Sequence, residues 1–223
     1  MKKKLILVLA LFFLLLILFN KTIIQLAFER KLSQWTEYNT ELILSKFGLF
    51  SGQIKIQDIR LKNKLNFFNQ NLFEASQIII QLDSNTYFNE LVIIKSVELK
   101  SPKFFFEIKN IKNKEIKDNL NLIDKLSKKQ KPKIYPPKKK DKNFLINNLN
   151  ITDAKAFIKY EKYDKNIVVP LSDMSFSKVG NSGHFDPKFQ HYKNVMKIIL
   201  NDIFFRISDK NLRELILEKY LKK

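Results

Sequence analysis

The chain holds two histidines, His184 and His191, and no cysteine. The two imidazoles stand seven apart, which is not the i, i+4 spacing that sets a pair on one helical face to grip a metal. Ser182, His184 and Asp186 are the residue types of a hydrolytic triad. They fall within five residues of one another, whereas triad partners converge from separate elements and the serine sits on a nucleophile elbow. Gly180-Asn181-Ser182-Gly183 lacks the spacing and trailing lysine of a phosphate loop. Carboxylates are spread singly along the chain, so no pair is available for acid and base work. The residue inventory points to a non-enzymatic protein with no catalytic residues, no metal site and no cofactor.

The charge has a different distribution from that of a nucleic-acid binder. The formal net charge is +19 over 223 residues, yet residues 31–108 carry only +1 and residues 143–187 carry 0. The excess lies in residues 1–30 (+4), 109–142 (+9) and 188–223 (+5). A polyanion-binding fold would paint one face of its folded body basic, so nucleic acid is not an expected partner.

Those basic parts resemble membrane-facing parts. Lys2, Lys3 and Lys4 precede Leu5 to Phe19, fifteen residues without a polar side chain, and apolar character resumes from Thr22 to Phe28. Fifteen helical residues rise about 22 Å, short of the roughly 30 Å hydrocarbon core. The continuation to Phe28 supplies the missing length, with Lys21 snorkelling towards headgroups. A cleaved signal peptide shares the basic start and apolar middle, but no small-x-small cleavage site follows Phe19. The expectation is a single-pass inner-membrane anchor over residues 1–28, N-terminus cytoplasmic and body periplasmic. Between residues 128 and 142, Pro132, Pro136 and Pro137 exclude regular structure. Lys128, Lys129, Lys138, Lys139 and Lys140 there are candidates for contact with anionic headgroups, a solvated linker being the alternative.

The remaining elements follow from periodicity. Phe28, Leu32, Trp35, Tyr38 and Leu42 have helical spacing, which predicts a juxtamembrane helix over 29–48 with Gly48 as its stop. Alternation of period two then marks strands at Gln53–Gln57 and Ile59–Lys62, in opposite phases, with a bulge near Asp58. Further strands are expected at Ile78–Leu82, Leu91–Lys100, Lys103–Lys109, Phe144–Ile151, Lys155–Tyr160 and Ile167–Ser177. Nearest-neighbour pairing predicts an antiparallel meander. Both parities are apolar in Val92-Ile93-Ile94 and Phe104-Phe105-Phe106, so both faces of part of the sheet must meet apolar matter. Asn119–Leu126 reads as a short helix. From Pro187, the residues Phe189, Tyr192, Met196, Ile199, Leu200, Ile203 and Ile207 form an apolar helical face, and Ser208 or Asp209 caps a last helix. These helices either close the sheet or lie on a membrane.

Several segments together resemble the AsmA-like family of bacterial envelope proteins. They are the anchor with its helix ending at Phe47-Gly48, the opening strand Ser51–Asn63, the second strand Phe73–Asp83, and Leu91–Glu107 with its internal Ser101-Pro102. Asn119–Leu126 and the return strand Leu145–Phe157 complete the match, which covers roughly residues 1–180. Asn63-Lys64-Leu65-Asn66 departs from the Asn-Pro the family often has there. The resemblance implies an α+β protein: one N-terminal transmembrane helix, a curved antiparallel sheet of about eight strands forming a chorein-like half-groove over 49–180, interrupted by the basic loop 109–142, and amphipathic helices over 181–223. It also implies a role in lipid handling during outer-membrane biogenesis, with membrane phospholipid as partner.

Candidate groove residues are Ile54, Ile56, Ile78, Ile80, Leu82, Val92, Ile94, Phe104, Phe106, Leu145, Leu149 and Phe157; their parity is left open by the sequence. The alternative is a structural or interaction module, a filled sandwich that binds an envelope protein. A short membrane-proximal domain of the late-embryogenesis-abundant type is its fold-level version.

Overall fold

A computed structural model describes residues 2–48, 50–63, 67–110, 116–118, 143–160, 165–181, 190–208, 210 and 213. The basic-loop lysines 128, 129, 138, 139 and 140, the expected helix 119–126, the residues Ser182, His184 and Asp186, and most of the expected last helix lie outside them. The architecture is α+β: a curved, unclosed sheet with two helices.

Helix α1 runs Lys2–Thr36, a stretch without Gly or Pro and rich in leucine, which loses little rotamer freedom in a helix. In its N-terminal half the described side chains are those of Ile6, Leu9, Leu11 and Phe12, all exposed. Most of the apolar run Leu5–Phe19 therefore lies outside the described side chains, and among those described no helix is long and apolar enough to cross a membrane. The helix stops at Thr36, whose hydroxyl donates to the Leu32 carbonyl oxygen at 2.7 Å. Glu37 then adopts φ 61° and turns the chain.

Strand β1, Thr40–Gly48, takes the place of the second half of the expected juxtamembrane helix. The four-residue spacing Tyr38–Leu42 fits a strand's period as well as a helix's. What decides is tertiary: Leu42 and Leu44 alternate into the core and the strand lies beside α1.

The other strands are β2 (Gln53–Lys62), β3 (Asn71–Leu82), β4 (Leu91–Lys100), β5 (Lys103–Asn110), β6 (Ile116–Asp118), β7 (Asn143–Thr152), β8 (Lys155–Tyr160), β9 (Lys165–Pro170), β10 (Met174–Gly180) and β11 (Gln190–His191). Helix α2, Tyr192–Phe205, follows directly. Strands β2, β3 and β4 form the expected antiparallel meander, with β1 added at its edge. Beyond them the meander fails. Strand β4 pairs with β7, and β5 with β8, in parallel. A parallel pair needs a crossover of a dozen or more residues, and the chain between Asn110 and Asn143 supplies one.

The registers show that six of these strands are the halves of three longer ones. Partners in β4–β7 and β5–β8 all differ by 52 positions, as in Leu99↔Ile151 and Phe104↔Ala156. Strands β9 and β10 likewise keep one antiparallel register against β8 and β7, as in Ala156↔Val169 and Leu149↔Phe176. The sheet is thus β1, β2, β3, then β4/β5, β7/β8 and β10/β9, with β3 carrying both β4 and β5 along one edge.

A single crease crosses these strands. Asp58, Ser101 and Asp153 have φ of 49°, 47° and 53°, and the registers align them in one row with Ser76 and Ser172. Hydrogen bonds stitch the row. The Ser76 hydroxyl donates to the Lys100 carbonyl at 3.0 Å, Ser101 Oγ to Asp153 Oδ2 at 2.8 Å, and Asp153 N to Asp173 Oδ1 at 3.0 Å. The expected bulge at Asp58 is one member of this row. Each extra residue shifts the side-chain phase, so that Ile56 and Ile59, or Leu99 and Phe104, keep to one face on either side of the crease.

Candidate functional site

Residues facing each other across a register pair share a face, so the sheet can be read strand by strand. One face carries Ile54, Ile56, Ile59 and Leu61 of β2, Phe73, Ala75, Ile78, Ile80 and Leu82 of β3, and Val97, Leu99, Phe104 and Phe106 of β4/β5. It continues through Leu149, Ile151, Ala156 and Ile158 to Val169 and Phe176.

Two helices cover this face at its two ends. The C-terminal part of α1 lays Ile24, Phe28 and Leu32 over Leu42, Leu44, Ile54, Ile56 and Ile59. At the other end α2 lays Val195, Ile199, Leu200, Ile203 and Phe204 over Phe106, Ile158, Val169, Phe176 and Val179. Phe204 is 1% exposed and its ring meets that of Phe106 at 6.4 Å. Of the two placements open for the helix after Pro187, α2 takes the one on the sheet, and it begins at Tyr192 after the short strand β11 rather than at Pro187.

Between the helices runs β4. Leu99 touches both cores, while Val92, Ile94 and Val97 belong to neither and remain half-buried. Their neighbours Ile78, Ile80, Leu82 and Leu149 are half-buried as well. The result is an apolar trough about one strand wide, floored by β4 and flanked by β3 and β7.

Ten of the twelve sequence-derived groove residues lie on this face. Three of the ten, Ile54, Ile56 and Phe106, are buried core under the helices. The other seven, Ile78, Ile80, Leu82, Val92, Ile94, Phe104 and Leu149, keep partial exposure. Leu145 and Phe157 fall on the opposite face: Leu145 pairs with Ile93, and the ring of Phe157 stacks on Phe105 at 5.1 Å. Phase decides both: the extra residue at Asp153 reverses Phe157 relative to Ile151, and a second slip reverses Leu145. Asn147 and Lys178, the latter at φ 57°, sit level with Lys95, where the β3–β4 register slips, so parity counted from Leu149 reverses before Leu145.

The opposite face is largely polar, with Gln57, Gln77, Asn148, Asn150 and Ser175 in register. Pockets of about 310 Å³ and 220 Å³ lie there, the larger lined chiefly by polar residues of β4, β7 and β10. Near the smaller one is a residue that pattern reading passed over. Glu107 is 2% exposed, and its carboxylate accepts the backbone N–H of Phe68 at 2.8 and 2.9 Å and of Asn69 at 3.3 Å. It fastens the turn between β2 and β3 to β5. A glutamate amid apolar Phe104–Ile108 was the available signal, since a charge is buried only with partners.

His191 stacks on Tyr192 at 4.6 Å, as a packed surface ring does. Among the described residues no group of three or more His, Asp or Glu is placed to hold a metal ion. No family model, curated protein or solved structure matches the chain.

Proposed function

We propose that this protein is a non-catalytic, membrane-anchored lipid-handling factor of the AsmA-like type, acting in the periplasm on membrane phospholipid. The observation that carries the reading is the row Val92, Ile94 and Val97, half-open between α1 and α2 and part of neither packed core. A fold that needed only a core would cover this row. An acyl chain laid along β4 would meet apolar side chains on three strands. Each CH₂ removed from water there contributes about 0.8 kcal/mol.

The anchor reading rests on the sequence of residues 2–21, since Ile24 and Phe28 of the continuation to Phe28 pack on the sheet. Lys2–Lys4 stay cytoplasmic by the positive-inside rule, the run from Leu5 enters the bilayer, and the sheet stands on the periplasmic side. The lysines of the basic segment 109–142 are the candidates for contact with anionic headgroups, with a solvated linker as the alternative.

Full-length protein in lipid nanodiscs containing a phospholipid with a photoactivatable acyl chain tests the trough. Adducts should map to β4 peptides containing Ile94 and Val97, and Val97→Glu should suppress them without unfolding the protein. Adducts confined to α1 would refute a lipid-binding sheet.

The second reading, an interaction module that docks an envelope protein, is favoured by the completeness of the α2 half. Ile203 and Ile207 are fully buried there. Its signature would be a V97E protein that keeps its envelope role.

A further inference from the structure

We infer that the turn carrying Phe50 and the turn carrying Phe88 form a rim that dips into the bilayer beside α1. This inference rests on the anchor reading above. It adds the orientation of the sheet and two lipid-contacting residues.

The orientation comes from a ladder of hydrogen bonds between α1 and the edge of β1. Thr40 N donates to Ser33 Oγ at 2.9 Å, Leu42 N to Glu29 Oε1 at 3.1 Å and Leu44 N to Gln25 Oε1 at 3.2 Å. Side chains four apart on the helix thus serve amides two apart on the strand. The match is geometric: four helical residues rise about 6 Å and two strand residues about 6.7 Å. The helix and strand are antiparallel, so the N-terminal half of α1 leaves the body past the Gly48 end of β1. From Leu44 to Gly48 is about 13 Å, which corresponds to about nine residues of α1 before Gln25. The helix therefore clears the sheet at about residue 16, inside the apolar run Leu5–Phe19. The last residues of that run stand level with the Gly48 end of β1, so an α1 whose apolar run enters the bilayer brings that end of the sheet to the membrane surface.

That end is built from two turns fixed against each other. Gly52 N–Cα geometry (φ 66°) brings the β1–β2 turn so close to β3 that an added Cβ would lie 2.4 Å from the Leu82 carbonyl oxygen and 3.3 Å from the Tyr87 hydroxyl. Gln81 Nε2 donates to the Ser51 carbonyl at 2.8 Å and Leu82 N to the Gly52 carbonyl at 2.7 Å. In the β3–β4 turn, Thr86 Oγ1 donates to the Asp83 carbonyl at 2.8 Å and accepts from Ile93 N at 2.9 Å. Both turns are tied down, yet Phe50 is 93% and Phe88 95% exposed, the highest values among the exposed large apolar residues. At the far end of the sheet the exposed Phe68 differs, since the ammonium of Lys159 lies 3.3 Å over its ring. A single exposed apolar residue needs no explanation. Two on adjoining turns, at the end from which an apolar helix projects, fit an interface where aromatic rings sit at headgroup depth. Leu82 and Val92 lie at the same end, so the trough opens at this rim.

Depth-resolved fluorescence tests this. The full chain, with Trp35 replaced (W35F), is reconstituted into nanodiscs of phosphatidylethanolamine and phosphatidylglycerol with or without brominated acyl chains, carrying F50W, F88W, F68W or F12W. The expected result is blue-shifted emission and loss of intensity to bromolipid for F50W, F88W and F12W, with F68W unquenched. Quenching of F12W without quenching of F50W and F88W would overturn the rim while leaving the anchor intact. No quenching of F12W would overturn the anchor reading, and the rim with it.

Discussion

At the scale of single residues, the side chains that matter are those whose burial and polarity disagree. Glu107 is the clearest. Its carboxylate takes two backbone N–H groups inside the protein, so Glu107→Ala leaves those donors without their acceptor. The expected loss is about 1–3 kcal/mol in urea unfolding, and faster hydrogen exchange at Phe68 and Asn69 would identify the cause. The pair Phe204 and Phe205 makes a second comparison within one helix. Phe204 is 1% exposed and Phe205 65%. Phe204→Ala should cost about 3–5 kcal/mol and Phe205→Ala should stay within about 0.5 kcal/mol, read from the same unfolding curves. The sequence places both on α2 but does not distinguish them, because adjacent residues at the edge of an apolar stripe differ only by what the sheet presents.

At the scale of elements, α1 has two roles. Its N-terminal half carries the apolar run, and its C-terminal half seals an open sheet edge. Edge strands present unpaired N–H groups that invite aggregation, and Gln25, Glu29 and Ser33 occupy three of them on β1. Replacing Gln25 and Glu29 together by leucine removes two acceptors at once. Exchange at Leu42 and Leu44 should rise, and stability should fall by about 1 kcal/mol per lost bond. A Leu42 amide that stays protected in that variant would show that the ladder is incidental. Gln25, Glu29 and Ser33 stand four apart in the sequence, a spacing that the apolar pattern did not single out. Their use was not legible, because Thr40–Gly48 read as the continuation of the helix. The crease is a second element-scale feature. Asp58, Ser101 and Asp153 lie at positive φ, where a β-branched side chain is strained. Val at any of the three should cost about 1–2 kcal/mol, whereas Gly should be better tolerated by thermal unfolding.

At the scale of the whole molecule, the distribution of cover on the sheet carries the functional proposal. Two helices pack the ends of one face and leave β4 half-open between them. If the +9 of residues 109–142 lies on headgroups, then replacing Lys128, Lys129, Lys138, Lys139 and Lys140 by Gln should leave the melting temperature unchanged. In wild-type protein these lysines should be protected from acylating reagents in anionic nanodiscs more than in zwitterionic ones. High salt should erase the difference, since interactions between exposed charges are screened beyond about 8–10 Å. Equal labelling in both membranes would leave the segment a solvated linker.

The sequence by itself determined the strand-rich body, the bulge at Asp58, the apolar face of α2 and the neutral charge of the sheet segments. These are local properties, set by periodicity, φ preference and residue type. Only the tertiary structure decided that β4 and β5 pair in parallel with β7 and β8, that Thr40–Gly48 is strand, and that Leu145 and Phe157 turn away from the trough. Pairing depends on which distant strand arrives alongside, and facing depends on how many bulges intervene. A phase counted along one strand reverses at each of them, and only the register against neighbouring strands records the reversal.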